Sequence, residues 1–382
     1  MRFTFALLAA AVMAAGGGGG GTETALDMAN RGAQLFADAN YGEAEVLYRR
    51  ALEAWPQGEA AVRGKAIVLG NLGTLLRATG RYSEAEPMLQ DAVKQLEAVG
   101  ETANVDTARL LDSLAVLYRN QGDLAKAETY ALRAAPMADE GEKPANRQVV
   151  ASIYLQEKRY SEAEPMLRVD AEGGTGRAAI TAYLNLAASD LMQGRSVRAE
   201  HDARRALELA GPVLPKSHPA VAMALNDLAQ ACRMQGQYME AEQSYREAVA
   251  IWEETLGPNH PDLAMGLIGL AGFYHERQRE TGAEQLYERA LSILERTFGG
   301  NDSRVLVARN ELADVLRGQR RYTESEKLSR VTVAAMEKTF GAQDPRVTHA
   351  LTNYARLLAE TKRKGEAADV LKRIQANNDG FR

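Results

Sequence analysis

Sulfur and metal chemistry have little to work with in this chain of 382 residues. A single cysteine, Cys232, excludes an intramolecular disulfide. It falls at an apolar helix position, away from the exposure and positive neighbours of a reactive thiol. Of the five histidines, His201 and His349 are isolated within helical patterns, and His218 and His260 each precede a proline. No His-Glu-x-x-His pair and no Cys/His cluster occurs, so no metal is expected. Phosphate cradles and nucleophile elbows are missing as well. The run Gly16 to Gly21 has neither a strand before it nor a lysine after it. Without a nucleophile–base pair, a metal set or a cofactor motif, the expectation is a non-enzymatic protein that needs no cofactor. The net charge of −5 is too mild for nucleic-acid binding through bulk charge. Aromatics make up only 6%, with Trp55 and Trp252 reading as packing residues, and alanine is abundant. That balance favours helices packed closely through small side chains.

The first residues stand apart. "MRFTFALLAAAVMAAGGGGGG" places Arg2 before an apolar stretch from Phe3 to Ala15 and then small residues, the layout of a secretory signal peptide. The stretch falls short of the roughly 20 residues that span a membrane. Residues 1–24 are therefore expected to be a signal peptide and glycine-rich leader, residues 25–376 the folded array, and residues 377–382 a disordered tail. Export to the periplasm or the extracellular space is the expected fate, with no membrane span in the mature chain. A cytoplasmic protein with an uncleaved N-terminus is the alternative.

What fills the rest is repetition. The nonapeptide "RYSEAEPML" occupies Arg81 to Leu89 and again Arg159 to Leu167. Using Ala85 as a marker, a small residue recurs at Ala44, Ala85, Ala127, Ala163, Ala199, Ala241, Ala283, Ser325 and Ala367. Most of these lie 42 residues apart, with two spacings of 36. Twelve residues before each marker sits another small one, from Gly32 and Gly73 through Ala115 to Ala355. Three residues after that come Leu35, Leu76, Tyr118, Tyr154, Cys232, Tyr274, Leu316 and Leu358, with Asp190 as the exception. Offsets of one, three and four trace one helix face, so each unit is expected to be a helix hairpin. Gly80, Gly122, Gly194 and Gly236 fall where a helix ends in a left-handed residue. Ser83 with Glu86, Ser161 with Glu164, Thr281 with Glu284 and Thr323 with Glu326 read as capping boxes, with Pro87 and Pro165 at the first turn. The pairs His218-Pro219 and His260-Pro261, in register with Asp302, Asp344 and Asn104, read as helix starts.

This pattern resembles the tetratricopeptide repeat, with small residues at its eighth and twentieth positions and large ones at the seventh and eleventh. The 42-residue spacing and linkers such as "LGPNHPDLA" at 256–264 and "FGAQDPRV" at 340–347 resemble the kinesin-light-chain subtype. The two 36-residue units depart from it, as do Arg147 and Arg309 at the fourth position. The resemblance implies an all-α fold, a right-handed α-solenoid of about nine hairpins, and a scaffold that binds a peptide or protein partner in a concave groove. It places the first helix of each hairpin on that groove. Position 12 there holds Arg77, Arg119, Arg233 and Arg317, with His275 in the same register. Positions 5 and 6 hold Asn71, Asn185, Asn226, Asn310 and Asn353. In kinesin-light-chain-like repeats asparagines at these positions line the peptide groove. An amide both donates and accepts, which suits a peptide backbone. Arginines on helices 8–10 Å apart would reinforce one another. The expected partner is accordingly a protein or peptide of acidic character. Asp112, Asp227, Glu311 and Asp314 lie close by in sequence and are expected to dilute the positive field.

Overall fold

The computed structural model describes residues 24–58, 61–101, 104–139, 141 and 143–379, with side chains followed to residue 375. The expected export segment lies outside the described residues, apart from Thr24, whose side chain caps the first helix. Eighteen α-helices and no strand occur among the described residues. In hairpin 1, α1 (Ala25–Ala37) is followed by α2 (Tyr41–Ala54), and in hairpin 2, α3 (Val62–Ala78) by α4 (Tyr82–Ala98). Hairpin 3 joins α5 (Val105–Gln121) to α6 (Leu124–Ala134), and hairpin 4 joins α7 (Lys143–Gln156) to α8 (Tyr160–Gly173). Hairpin 5 is α9 (Gly176–Met192) with α10 (Ser196–Ala210), and hairpin 6 is α11 (Pro219–Met234) with α12 (Tyr238–Leu256). Then follow α13 (Pro261–Glu276) with α14 (Glu280–Phe298), α15 (Ser303–Gly318) with α16 (Tyr322–Phe340), and α17 (Pro345–Glu360) with α18 (Lys364–Asp379). The last helix runs into the stretch expected as a tail. The chain divides into two compact units between Leu256 and Gly257, six hairpins in the first and three in the second. Each unit is a stack of α-solenoid hairpins in which a helix packs chiefly on its neighbours in the chain.

Close approach explains the small residues. The seven marker alanines from Ala44 to Ala283 are fully buried. A Cβ built on Gly73 would lie 2.8 Å from Leu89 Cγ, and one on Gly32 would lie 3.0 Å from the Tyr48 ring. The large residue four after the marker therefore fills the space that the eighth position leaves open. Tyr48, Tyr245 and Tyr287 are fully buried in that role. Each such ring contributes on the order of 2 kcal/mol by leaving water.

All nine turns share one geometry. The residue five before the marker has positive φ whether it is glycine, as at Gly122 (87°), or not, as at Lys158 (62°). The next backbone N–H then reaches back five residues, as Arg81 N does to Leu76 O at 2.9 Å and Arg321 N to Leu316 O at 2.9 Å. This is the paired closure of a Schellman-type end.

The helix after the turn starts earlier than the capping boxes imply. Its N-cap is Arg81, Arg159, Arg279 or Arg321, without a side-chain cap bond, and Ser83, Ser161, Thr281 and Thr323 already lie inside the helix. Pro87 and Pro165 consequently fall within the helix rather than at its first turn. The glutamates do other work. Arg81 forks onto Glu84 of its own helix (2.7 Å twice) and reaches Glu45 of the preceding hairpin (2.8 Å). Arg159 joins Glu162 (2.8 Å) and Glu128 (2.9 Å), and Arg363 joins Glu366 (2.7 Å) and Glu326 (2.7 Å). Arg321 does the same with Glu324 and Glu284. The repeated "RYSEAE" is thus a staple between consecutive hairpins. The other helix starts match expectation: His218 Nδ1 accepts from Ala220 N (2.9 Å), His260 Nδ1 from Asp262 N (3.0 Å), and Asp302, Asp344 and Asn104 cap likewise. Cys232 is fully buried, and burial pushes its thiol up to about 11.

Candidate functional site: the inner helix faces

Within each unit the first helices of successive hairpins touch one another, α1 to α3 and onward to α11, and α13 to α15 to α17. Their shared face carries polar residues, because the small eighth position and the large seventh point the opposite way, into the hairpin. In the first unit these polar side chains are tied across helices. Thr74 Oγ1 meets Ser113 Oγ at 3.0 Å, joining α3 to α5. Asn146 Nδ2 donates to Asp112 Oδ1 at 2.7 Å, joining α5 to α7. Arg119 donates to Ser152 Oγ at 2.6 Å, and Gln148 Nε2 to Ala178 O at 2.9 Å.

The expected contact residues divide into two groups. In the first unit, Asn71 is buried and its Oδ1 has no hydrogen-bond partner; Asn185 Nδ2 and Asn226 Oδ1 are in the same condition on the adjoining α9 and α11. Asn226 Nδ2 points at Asp227 at 3.5 Å, and burial pushes the Asp227 carboxyl up to about 7. Arg77 is only 4% exposed, whereas Arg119 and Arg233 are half-buried. In the second unit the corresponding groups are saturated by one another. Asn310 donates to Glu311 at 3.1 Å, His349 meets the same carboxylate at 3.1 Å, and Asn353 meets His349 at 3.4 Å. Arg317 holds Asp314 at 2.7 Å and Glu360 at 2.6 Å. His275 bridges Glu280 (2.6 Å) and Asp314 (3.0 Å). The Asp314 hydrogen bond lifts His275 to about 9, and the bonds from His275 and Arg317 more than offset burial to hold Asp314 well below the usual carboxylate range. A bare positive field from Arg317 does not exist there; its charge is matched by Asp314 and Glu360.

Sequence reasoning noted Asp314 as a neighbour but not its bridge to His275. That bridge needs position 12 of one hairpin opposite position 9 of the next, a pairing across about 40 residues. The departures Arg147 and Arg309 also have partners: Arg147 grips buried Asp170 (Nε to Oδ1 3.0 Å), and Arg309 holds Glu295 (2.8 Å) and Gly300 O (3.0 Å). Among the described residues no group of three or more His, Cys, Asp or Glu is placed to hold a metal ion, and no helix is long and apolar enough to cross a membrane.

Comparison with known proteins agrees with this architecture. The tetratricopeptide repeat profile matches residues 21–98, 64–140, 177–251, 220–296 and 303–377. A search of curated proteins finds no match. Among solved structures, Cut9-Hcn1 of the APC/C hetero-tetramer aligns at TM-score 0.63 and 14% identity, over 88% of this chain and 56% of that one. A Rap protein complexed with competence and sporulation factor aligns at TM-score 0.54 and 18% identity, over 90% and 99%. A Podosopora anserina putative kinesin light chain with nearly identical TPR-like repeats has TM-score 0.46 and 23% identity, over 53% and 96%. At these identities the likeness is one of fold.

Proposed function

We infer that this chain, which belongs to the tetratricopeptide repeat family, is a protein–protein interaction scaffold that holds an extended segment of a partner protein against its inner helix face. The observation that carries the reading is the polar inner face of the first unit, where half-buried Asn185 and Asn226 stand on adjoining first helices, beside the half-buried Arg119 and Arg233 of the same unit. The atoms without a partner, Asn71 Oδ1, Asn185 Nδ2 and Asn226 Oδ1, are themselves buried. An amide both donates and accepts, as a peptide backbone does. Arg119 and Arg233 add positive charge on the same helices and favour a segment with carboxylates. In the second unit Asn310, Asn353 and Arg317 are already bonded within the protein, so the first unit is the better seat. Proteins of the same fold have been solved holding another molecule, the Rap protein with competence and sporulation factor and Cut9 with Hcn1. The N-terminal sequence favours export; a mature N-terminus beginning after Ala14 or after Gly16 in an exported fraction supports it, and an intact Met1 in the cytoplasm refutes it.

The binding test is an affinity pull-down with the full chain, followed by titration of the recovered partner in purified form. Arg119→Glu with Arg233→Glu should weaken that partner at least tenfold, since like-charge contacts slow association and speed release. Asn185→Ala with Asn226→Ala should cost on the order of 1 kcal/mol per lost hydrogen bond. A partner that binds all of these variants as tightly as the native chain removes the inner face from consideration.

A further inference from the structure

The two copies of "RYSEAEPML" have different surroundings. At the first, Tyr118 covers the motif: its hydroxyl donates to Glu86 at 2.9 Å, and its ring stacks on Tyr130 at 5.4 Å. At the second, the residue in the register of Tyr118 is Asp190, which is buried and has no ring. Glu164 is met instead by Gln193 at 2.7 Å and by Arg195. Beside the second copy a cleft of about 630 Å³ opens between the turn of hairpin 4, α8 and the turn of hairpin 5. Its walls include Lys158, Arg168, Arg195 and one carboxylate, Glu164; Arg195 is matched by Glu164 and by buried Asp190 at 2.5 Å, so the outstanding positive charge is that of Lys158 and Arg168. Arg168 has only exposed Glu172 at 4.0 Å as an ionic partner, and the exposed Lys158 amine has none among the described residues.

An apolar strip continues from this cleft along the turns. Met192 and Met234 end α9 and α11 at one repeat position, and Val197 and Met239 begin α10 and α12 at another. They are 59%, 44%, 70% and 90% exposed. The same two positions hold small or polar residues in the other hairpins, Asn120, Gln156, Glu276, Ser83 and Thr281 among them. Gln235 ties the two turns side by side through Ser196 O (3.3 Å) and Glu200 (2.7 Å). A cationic cleft and a methionine-rich strip therefore adjoin at the turn end of these hairpins.

We propose that the turn edge of hairpins 4 to 6 is a second docking surface, and that its occupant is an amphipathic helix of a partner protein with carboxylates at one end and apolar side chains along one face. The charge of the cleft selects the carboxylates. Unbranched, adaptable methionines suit an apolar helix face, and exposed apolar residues gathered in one place mark interaction surfaces. The edge spans roughly two hairpin spacings, about 20 Å, which a helix of about 14 residues covers at 1.5 Å per residue.

The test is a phage-displayed library of 16-residue helix-forming peptides selected on the full chain, with the enriched peptides titrated by fluorescence anisotropy. Enriched peptides should carry Asp or Glu at one end and an apolar stripe. Lys158→Glu with Arg168→Glu, and separately Val197→Ser with Met239→Ser, should each weaken them at least tenfold without shifting the thermal melt. Lys158, Val197 and Met239 are exposed and Arg168 lines the cleft, so none of the four fills the core. The proposal is overturned if nothing enriches, if the peptides bind both edge variants as they bind the native chain, or if sedimentation shows that the serine variant instead abolishes self-association, which would assign the edge to a second copy.

Discussion

Ala39, Lys158, Gln278, Arg320 and Lys362 sit in the left-handed region with φ between 58° and 64°, where the other four hairpin turns have glycine. A side chain there meets its own backbone, at a cost of roughly 1–2 kcal/mol. Glycine avoids the clash but loses more freedom on folding. Gln278→Gly and Lys362→Gly should each stabilise the protein by about 0.5–1 kcal/mol, read as a higher denaturation midpoint with unchanged slope. A lower midpoint would mean that the side chains contribute more at these turns than their strain removes.

At the scale of elements, hairpins are joined in two ways that differ in worth. The arginine staples are exposed enough for water and salt to screen them, so each contributes little to stability and their value is geometric. They set where one hairpin lies on the next. The pair Arg147–Asp170 is another matter, because Asp170 is 2% exposed. Removing the arginine strands a buried carboxylate. Arg147→Met should cost about 3–5 kcal/mol in chemical denaturation, and adding Asp170→Leu should recover most of the loss. If the single and double variants unfold together, the ion pair has no special role. The fourth-position arginine that looked like a packing defect in the sequence is thereby a partner to an acidic residue on the following helix.

Across a whole unit, the charges of the last three hairpins act as one group. Glu280, His275, Asp314, Arg317 and Glu360 link α14, α13, α15 and α17 by contacts of 2.6–3.0 Å, with Arg356 at 3.6 Å from Asp314. His275 rises from its ordinary 6.5 to about 9, so its contribution is complete below about pH 6.5 and is lost as pH climbs through 9. Asp314 is lowered, so its contribution is complete above about pH 4 and is lost in acid. Stability of this unit should be greatest between about pH 4 and 6.5. It should fall by up to about 3 kcal/mol on the way to pH 9.5, and His275→Gln should flatten that fall. Repeat stacks open locally, so amide exchange in α13 and α15 is the suitable measurement. An equal fall in the variant would assign the pH dependence to other groups.

The nine hairpins, the left-handed turns at Gly80, Gly122, Gly194 and Gly236, the histidine and aspartate helix starts and the buried marker alanines were legible in the chain, whereas the five left-handed turns without glycine were not. Each depends on residues a few positions apart, and helix periodicity makes those neighbours in space. The reading stopped where partners are a hairpin apart. Glu86 and Glu164 looked like local caps because the nearest serine stood three residues away, yet their oxygens are met by Tyr118, Gln193 and Arg195 from the following hairpin. Arg317 showed its neighbour Asp314 but not its second partner, because Glu360 lies 43 residues downstream. The same distance hid the setting of Asp190, which reads as one irregular letter in the repeat and lies buried against Arg195 at the turn of hairpin 5. Local spacing settles which backbone is built and how often. Side-chain electrostatics between stacked hairpins, where a carboxylate can turn to either neighbour, awaits the packing, and in the second unit that choice matches Arg317 and His275 to carboxylates of neighbouring helices.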